Sequence, residues 1–177
     1  DPALAKLRPD LAVKSTRGGI WRDRRGTPWV DPASEEVWAY NAAVAREAFE
    51  GGFDEIQFDY IRFPSDGDMK TLAYPVYDKT RAKEGVMGDF FEYLDRELRR
   101  RKIPISVDLF GLVMWNHGDD LGIGQRLSIA AKHFDVISPM VYPSHYADGF
   151  NGYANPADHP AEVVRDNMRK GMELIDA

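Results

Sequence analysis

No cysteine occurs among the 177 residues. That excludes disulfides, thiolate metal sites and thiol nucleophiles, and leaves the redox compartment open. Positive charge is also in short supply: 23 Lys and Arg stand against 29 Asp and Glu, for a formal net charge of -6. This argues against a general nucleic-acid binder, which needs a basic face for phosphate. The basic run Arg99-Arg100-Arg101-Lys102 closes a helical pattern, where cations offset the helix dipole. No apolar stretch approaches the ~20 residues that span a bilayer. No signal peptide opens the chain, which begins in mid-pattern at Asp1-Pro2-Ala3 and reads as a contiguous piece of something longer. No Gly-x-Gly-x-x-Gly fingerprint follows a strand pattern. Asp119, Asp120, Asp148 and Asp158 lie among Gly and Asn without the spacing of a calcium loop, so turn chemistry explains them and no metal or other cofactor is expected.

What is present is enough apolar material, 44% hydrophobic and 12% aromatic, for one globular unit. Its order is regular. Leu11–Thr16 is a short strand candidate, followed by a helix over Ser34–Glu50 with Ser34 as N-cap. Glu55–Ile61 reads as a second strand and Gly85–Lys102 as a helix, with Val86, Phe90, Tyr93, Leu94 and Leu98 on one stripe. Pro104–Phe110 is a third strand, Ile123–Lys132 a helix, Asp135–Tyr142 a fourth strand, and Pro160–Leu174 a helix with proline in its first turn. Strand-helix alternation predicts parallel βα units, hence an α/β fold that is doubly wound or a (β/α)8 barrel. Long loops after each strand, rich in Gly, Pro, Trp and His, favour the barrel, whose site is built from such loops. A whole barrel takes about 250 residues, so residues 1–177 are expected to be one partial TIM-barrel domain of about four units, with open sheet edges.

The chemistry concentrates in Gly51-Gly52-Phe53-Asp54-Glu55-Ile56-Gln57-Phe58-Asp59-Tyr60-Ile61-Arg62-Phe63-Pro64. Ile56, Phe58 and Tyr60 alternate with Gln57 and Asp59, so period two separates the bulky residues from the polar ones. Asp59 then points inward near a strand's C-terminal end. In the third strand Asp108 has the matching phase. Glycoside hydrolysis needs one acid to protonate the leaving oxygen and one carboxylate to attack or to activate water. Neighbouring strand ends are able to hold that pair. The carboxyl separation, about 5–5.5 Å for retention and about 6.5–9.5 Å for inversion, is not readable from sequence.

The strings Phe53-Asp54-Glu55-Ile56-Gln57-Phe58-Asp59-Tyr60-Ile61-Arg62-Phe63-Pro64-Ser65-Asp66-Gly67, Ser106-Val107-Asp108-Leu109-Phe110-Gly111 and Ile137-Ser138-Pro139-Met140-Val141-Tyr142-Pro143-Ser144-His145-Tyr146 resemble a bacterial family, the putative glycoside hydrolase domain catalogued as domain of unknown function 4015. The resemblance implies a barrel related to glycosidases of the alpha-amylase type, acting in carbohydrate metabolism on an oligo- or polysaccharide. It also implies an extracytoplasmic or cell-envelope setting. In that wider group a strand-four aspartate is the nucleophile and a strand-five carboxylate is the general acid. By strand order Asp59 matches the first position and Asp108 the second, where glutamate is usual.

Six further residues are candidates for substrate binding. Lys14 is placed inward on the first strand, and Arg62 is either a carboxylate's partner or a substrate clamp. Trp21 and Trp115, with Trp29, lie in loops where flat rings stack on sugars, whereas Trp38 sits on a helix as core. Tyr142 and His145 follow the fourth strand. Two other readings stand beside the glycosidase. One is a non-catalytic saccharide-binding barrel of the cell envelope, and the other a metal-dependent lyase or hydrolase using Asp59, Asp108 and His145.

Overall fold

The computed structural model describes residues 1–116 and 118–175. A short helix, α1 (Pro2–Leu7), is capped by Asp1, whose carboxylate accepts from the N–H groups of Ala3 and Leu4. Residues 11–31 then form an irregular antiparallel ladder. Val13 N donates to Trp29 O, Trp21 N to Val13 O and Asp31 N to Leu11 O. The turns use Gly18, Gly19 and Gly26, all at positive φ, where a side chain would be strained. The strand expected over Leu11–Thr16 is therefore corrected. Its backbone is spent on a local hairpin, only Lys14–Ser15 (β1) is strand, and it joins no parallel sheet.

From there the alternation holds. Helix α2 (Glu35–Glu50) starts at Ser34, whose Oγ accepts from Val37 N. Strand β2 (Ile56–Phe58) follows, then β3 (Leu72–Ala73), which pairs antiparallel with β1. Helix α3 (Lys83–Arg99) leads to β4 (Ile105–Phe110), one-turn α4 (Leu127–Ala130), β5 (Val136–Met140) and α5 (Pro160–Ile175). Strands β2, β4 and β5 form a parallel sheet in that order. Chain neighbours among the parallel strands are thus sheet neighbours, with α3 and α4 as the crossovers. The fold is α/β; among the described residues the parallel sheet has three strands, not the expected four, and does not close.

Besides β1, the strand expected over Asp135–Tyr142 is trimmed to Val136–Met140, and two elements fall further short of their sequence patterns. Strand β2 stops at Phe58 because Tyr60 takes φ +57, which ends extended backbone. Tyr60 is consequently 57% exposed and does not share the buried face of Phe58. The helix expected over Ile123–Lys132 shrinks to four residues, because Gly122 and Gly124 are left-handed and the segment before it is a loop.

Alternation along β4 decides where the core sits. Ile105, Val107 and Leu109 are sealed against the helices, joined by Phe58 from β2 and by Phe90, Phe91 and Leu94 from α3. Ser106, Asp108 and Phe110 take the opposite phase. A loop locks the strand ends above this core. Phe63 N donates to Ile123 O at 2.8 Å, and the buried Gln125 accepts from Phe110 N at 3.0 Å while its amide reaches toward Ile61 O. The chain leaving β2 is thereby tied to the end of β4.

Candidate active site

Register brings the two candidate carboxylates together. Phe58 pairs with Val107, so the next residue on each chain is Asp59 beside Asp108, and Asp108 pairs on its other side with Ser138 of β5. Asp59 follows the last residue of β2, and Asp108 lies in the C-terminal half of β4. Asp59 lies one residue beyond the strand and is exposed, with Oδ1 accepting from Tyr60 N at 2.6 Å. Asp108 is half-buried and accepts at 2.6 Å from Gln57 Nε2. Its carboxyl is held above the ordinary aspartate range. Burial is the main cause; the Gln57 hydrogen bond pulls the other way, and the charge of Asp59 raises it further. Two carboxylates whose surroundings differ are the arrangement that acid/base pairs use.

Three residues past Asp59, Arg62 is 8% exposed. Its guanidinium carbon lies 5.1 Å from the Trp29 and Tyr60 ring centroids and 4.9 Å from that of Phe110. Nη1 donates to Phe63 O at 3.1 Å and Ser65 Oγ at 3.0 Å. Among the described residues no carboxylate comes within ion-pair distance of it. Of the two readings the sequence left for Arg62, the carboxylate partnership is absent here. Trp29 is itself oriented by Asp23, whose Oδ2 accepts the indole N–H at 3.0 Å.

Asp59, Tyr60, Arg62 and Trp29 share the wall of a cavity of about 420 Å³, together with Trp38 and Asn41. A second cavity of about 370 Å³ is lined by Phe110, Met140, His145 and Tyr146. Phe110 thus touches Arg62 on one side and the second cavity on the other. Asp108 is part of neither wall.

The remaining predicted residues scatter. Lys14 sits on the hairpin with its amine bonded to Pro9 O, away from both cavities, because β1 never enters the parallel sheet. Trp21 is 2% exposed; its indole donates to Asp68 O at 3.0 Å and its ring packs on Gly67. It is a loop clamp and presents no face to a ligand. Trp115 donates to Asn167 Oδ1 at 2.8 Å and meets Phe150 edge-on at 5.0 Å, which turns it toward α5. Tyr142 and His145 are exposed and lie 5.1 Å apart, with His145 on the second cavity. Among the described residues no three His, Asp or Glu side chains gather as metal ligands, so Asp59, Asp108 and His145 are not brought together as a donor set.

Sequence reasoning passed over Gln57 and Phe110 as site residues. Gln57 carried a usable signal: it shares the period-two phase of Asp59, two residues upstream on the same strand. Phe110 carried none, since an aromatic at a strand end is ordinary core material.

A family model described as a putative glycosyl hydrolase domain matches residues 1–177, and the chain belongs to that family. No curated protein matches. A crystal structure of a hypothetical protein from Ruminiclostridium thermocellum is similar at 36% identity and a TM-score of 0.50, over 69% of this chain. The chain spans 54% of that protein's length.

Proposed function

From membership of this family we propose that the domain is a glycoside hydrolase cleaving an oligo- or polysaccharide, with Asp59 as nucleophile or charge stabiliser and Asp108 as the acid/base partner. The observation that carries this is the register of adjacent parallel strands, in which Phe58 pairs with Val107 and the next residues are Asp59 and Asp108. The raised carboxyl of Asp108 supports its role, because a general acid must hold its proton near working pH. Asp59, exposed on the cavity wall beside Trp29, suits attack on a sugar whose apolar face rests on an indole. Gln57 orients the Asp108 carboxyl through their 2.6 Å hydrogen bond.

The three parallel strands are consecutive strands of a (β/α)8 barrel in this reading. Sequential sheet order supports it, since a doubly wound sheet reverses order at its switch point. So does the position of Asp59 just past β2 and of Asp108 in the C-terminal half of β4, toward the catalytic face of that fold.

The test is hydrolysis of a glycan panel by the full-length protein. Asp59→Asn is expected to lose about 10³-fold in kcat/KM and Asp108→Asn about 10²- to 10⁴-fold, with unchanged far-ultraviolet circular dichroism. An Asp59→Asn protein that cleaves at the parent's rate removes the proposal.

A further inference from the structure

Arg62 poses an electrostatic problem that the carboxylate pair does not solve. A guanidinium is always charged and has five N–H donors, and burying it without a counter-ion is costly unless something else compensates. Three ring faces at about 5 Å supply cation–π attraction, and Nη1 is satisfied by Phe63 O and Ser65 Oγ. Nε and Nη2, which form the fork that reads a carboxylate in a bidentate manner, make no hydrogen bond among the described residues. They are not sealed either. Among the described residues the sealed side-chain polar atoms without a partner are Tyr74 Oη and Ser106 Oγ, not Nε or Nη2 of Arg62, and Arg62 lines the first cavity.

The nearby acids do not complete it. Asp23 gives Oδ1 to the N–H groups of Arg25 and Thr27 and Oδ2 to Trp29. Asp66 accepts from Arg24 N, and Asp59 accepts from Tyr60 N. All three favour the charge on Arg62 from beyond ion-pair distance, against the burial that opposes it. The site is therefore a buried cation, held flat by aromatic rings, with three N–H donors on Nε and Nη2 left over beside a cavity large enough for one sugar ring.

We infer that Arg62 binds the carboxylate of a uronic-acid residue, so that the preferred substrate is an acidic glycan; this rests on the glycosidase reading of the same cavity. In a uronate the carboxylate-bearing carbon and the anomeric carbon flank the ring oxygen. A ring anchored on Arg62 presents its anomeric centre to the Asp59 side of the same wall. Trp29 serves twice, stacking on the guanidinium and closing the pocket around the ring.

Binding of a panel of oligouronides to the full-length protein, each compared with its methyl ester, tests this by calorimetry. Esterification removes the charge and leaves the ring intact. The acid form is expected to bind about tenfold more tightly, the preference shrinking to about threefold or less in Arg62→Gln and persisting in part in Arg62→Lys. Equal affinity for acid and ester in the parent overturns the inference, whether or not the Arg62 variants fold, as does failure of every oligouronide to bind. Acid preference without bond cleavage refutes the hydrolase and spares this site, whereas cleavage of neutral glycans with no acid preference does the reverse.

Discussion

Replacing Gln57 with alanine isolates one interaction at the carboxylate pair. Its Nε2 donates to Asp108 Oδ1 at 2.6 Å, and because an N–H donor binds a charged oxygen more strongly than a neutral one, this bond favours the ionised form of the acid. Hydrogen bonds to charged groups contribute about 1.5–3 kcal/mol. The Gln57 side chain is exposed, so solvent screening cuts that to about 1 kcal/mol. Removing it leaves burial and the Asp59 charge, both of which favour the neutral acid, and the Asp108 titration must move to higher pH. Carbon-13 NMR of the aspartate carboxyls reads the midpoint directly and needs no substrate. A midpoint that stays put or falls in Gln57→Ala refutes the electrostatic account of Asp108. The stability consequence has an unusual sign for an aspartate. Since the folded chain holds the Asp108 proton more tightly than the unfolded chain does, Asp108 favours folding at acid pH, and that contribution is lost as pH rises through its folded midpoint.

Two further expectations concern the frame around the site. Asp31 is fully buried and accepts from Ala33 N at 2.9 Å, Val76 N at 2.7 Å and Tyr77 N at 3.0 Å. At about 1–3 kcal/mol for each stranded donor, Asp31→Ala is expected to cost about 3 kcal/mol or more in urea unfolding, and a loss below about 1 kcal/mol contradicts this. Gly124 has φ +84, and an added Cβ lies 2.5 Å from Met87 Cγ and 3.0 Å from Lys83 O. Gly124→Ala should therefore lose about 2 kcal/mol or more to strain and overpacking, seen as a lower melting temperature.

The long helices α2, α3 and α5 were legible because their signals are local, whereas α1 and one-turn α4 were not. Ser34 marks a cap, and the Val86, Phe90, Leu94 stripe faces the sheet as the 3.6-residue period requires. The first strand was misread for a physical reason. A short apolar run has the same pattern whether its backbone pairs with a distant strand or folds back on itself, and the partners of Val13 are Trp21 and Trp29. Loop tryptophans were equally ambiguous. Trp21 and Trp29 each follow a glycine by two or three residues and precede an aspartate by two, yet one is consumed by Gly67 and Asp68 and the other lines a cavity.

By itself the sequence determined the α/β alternation, the phase that sets Asp59 and Asp108 on one face, and the strings that mark the family. All of these are functions of neighbours a few residues apart. Tertiary structure alone decided that Phe58 pairs with Val107, which makes those aspartates adjacent. It also decided that Arg62 lies among three rings with Nε and Nη2 unspent. Those facts depend on pairings across 49 residues of chain, from Phe58 to Val107, and on how loops close over a core, and period and composition carry no term for either.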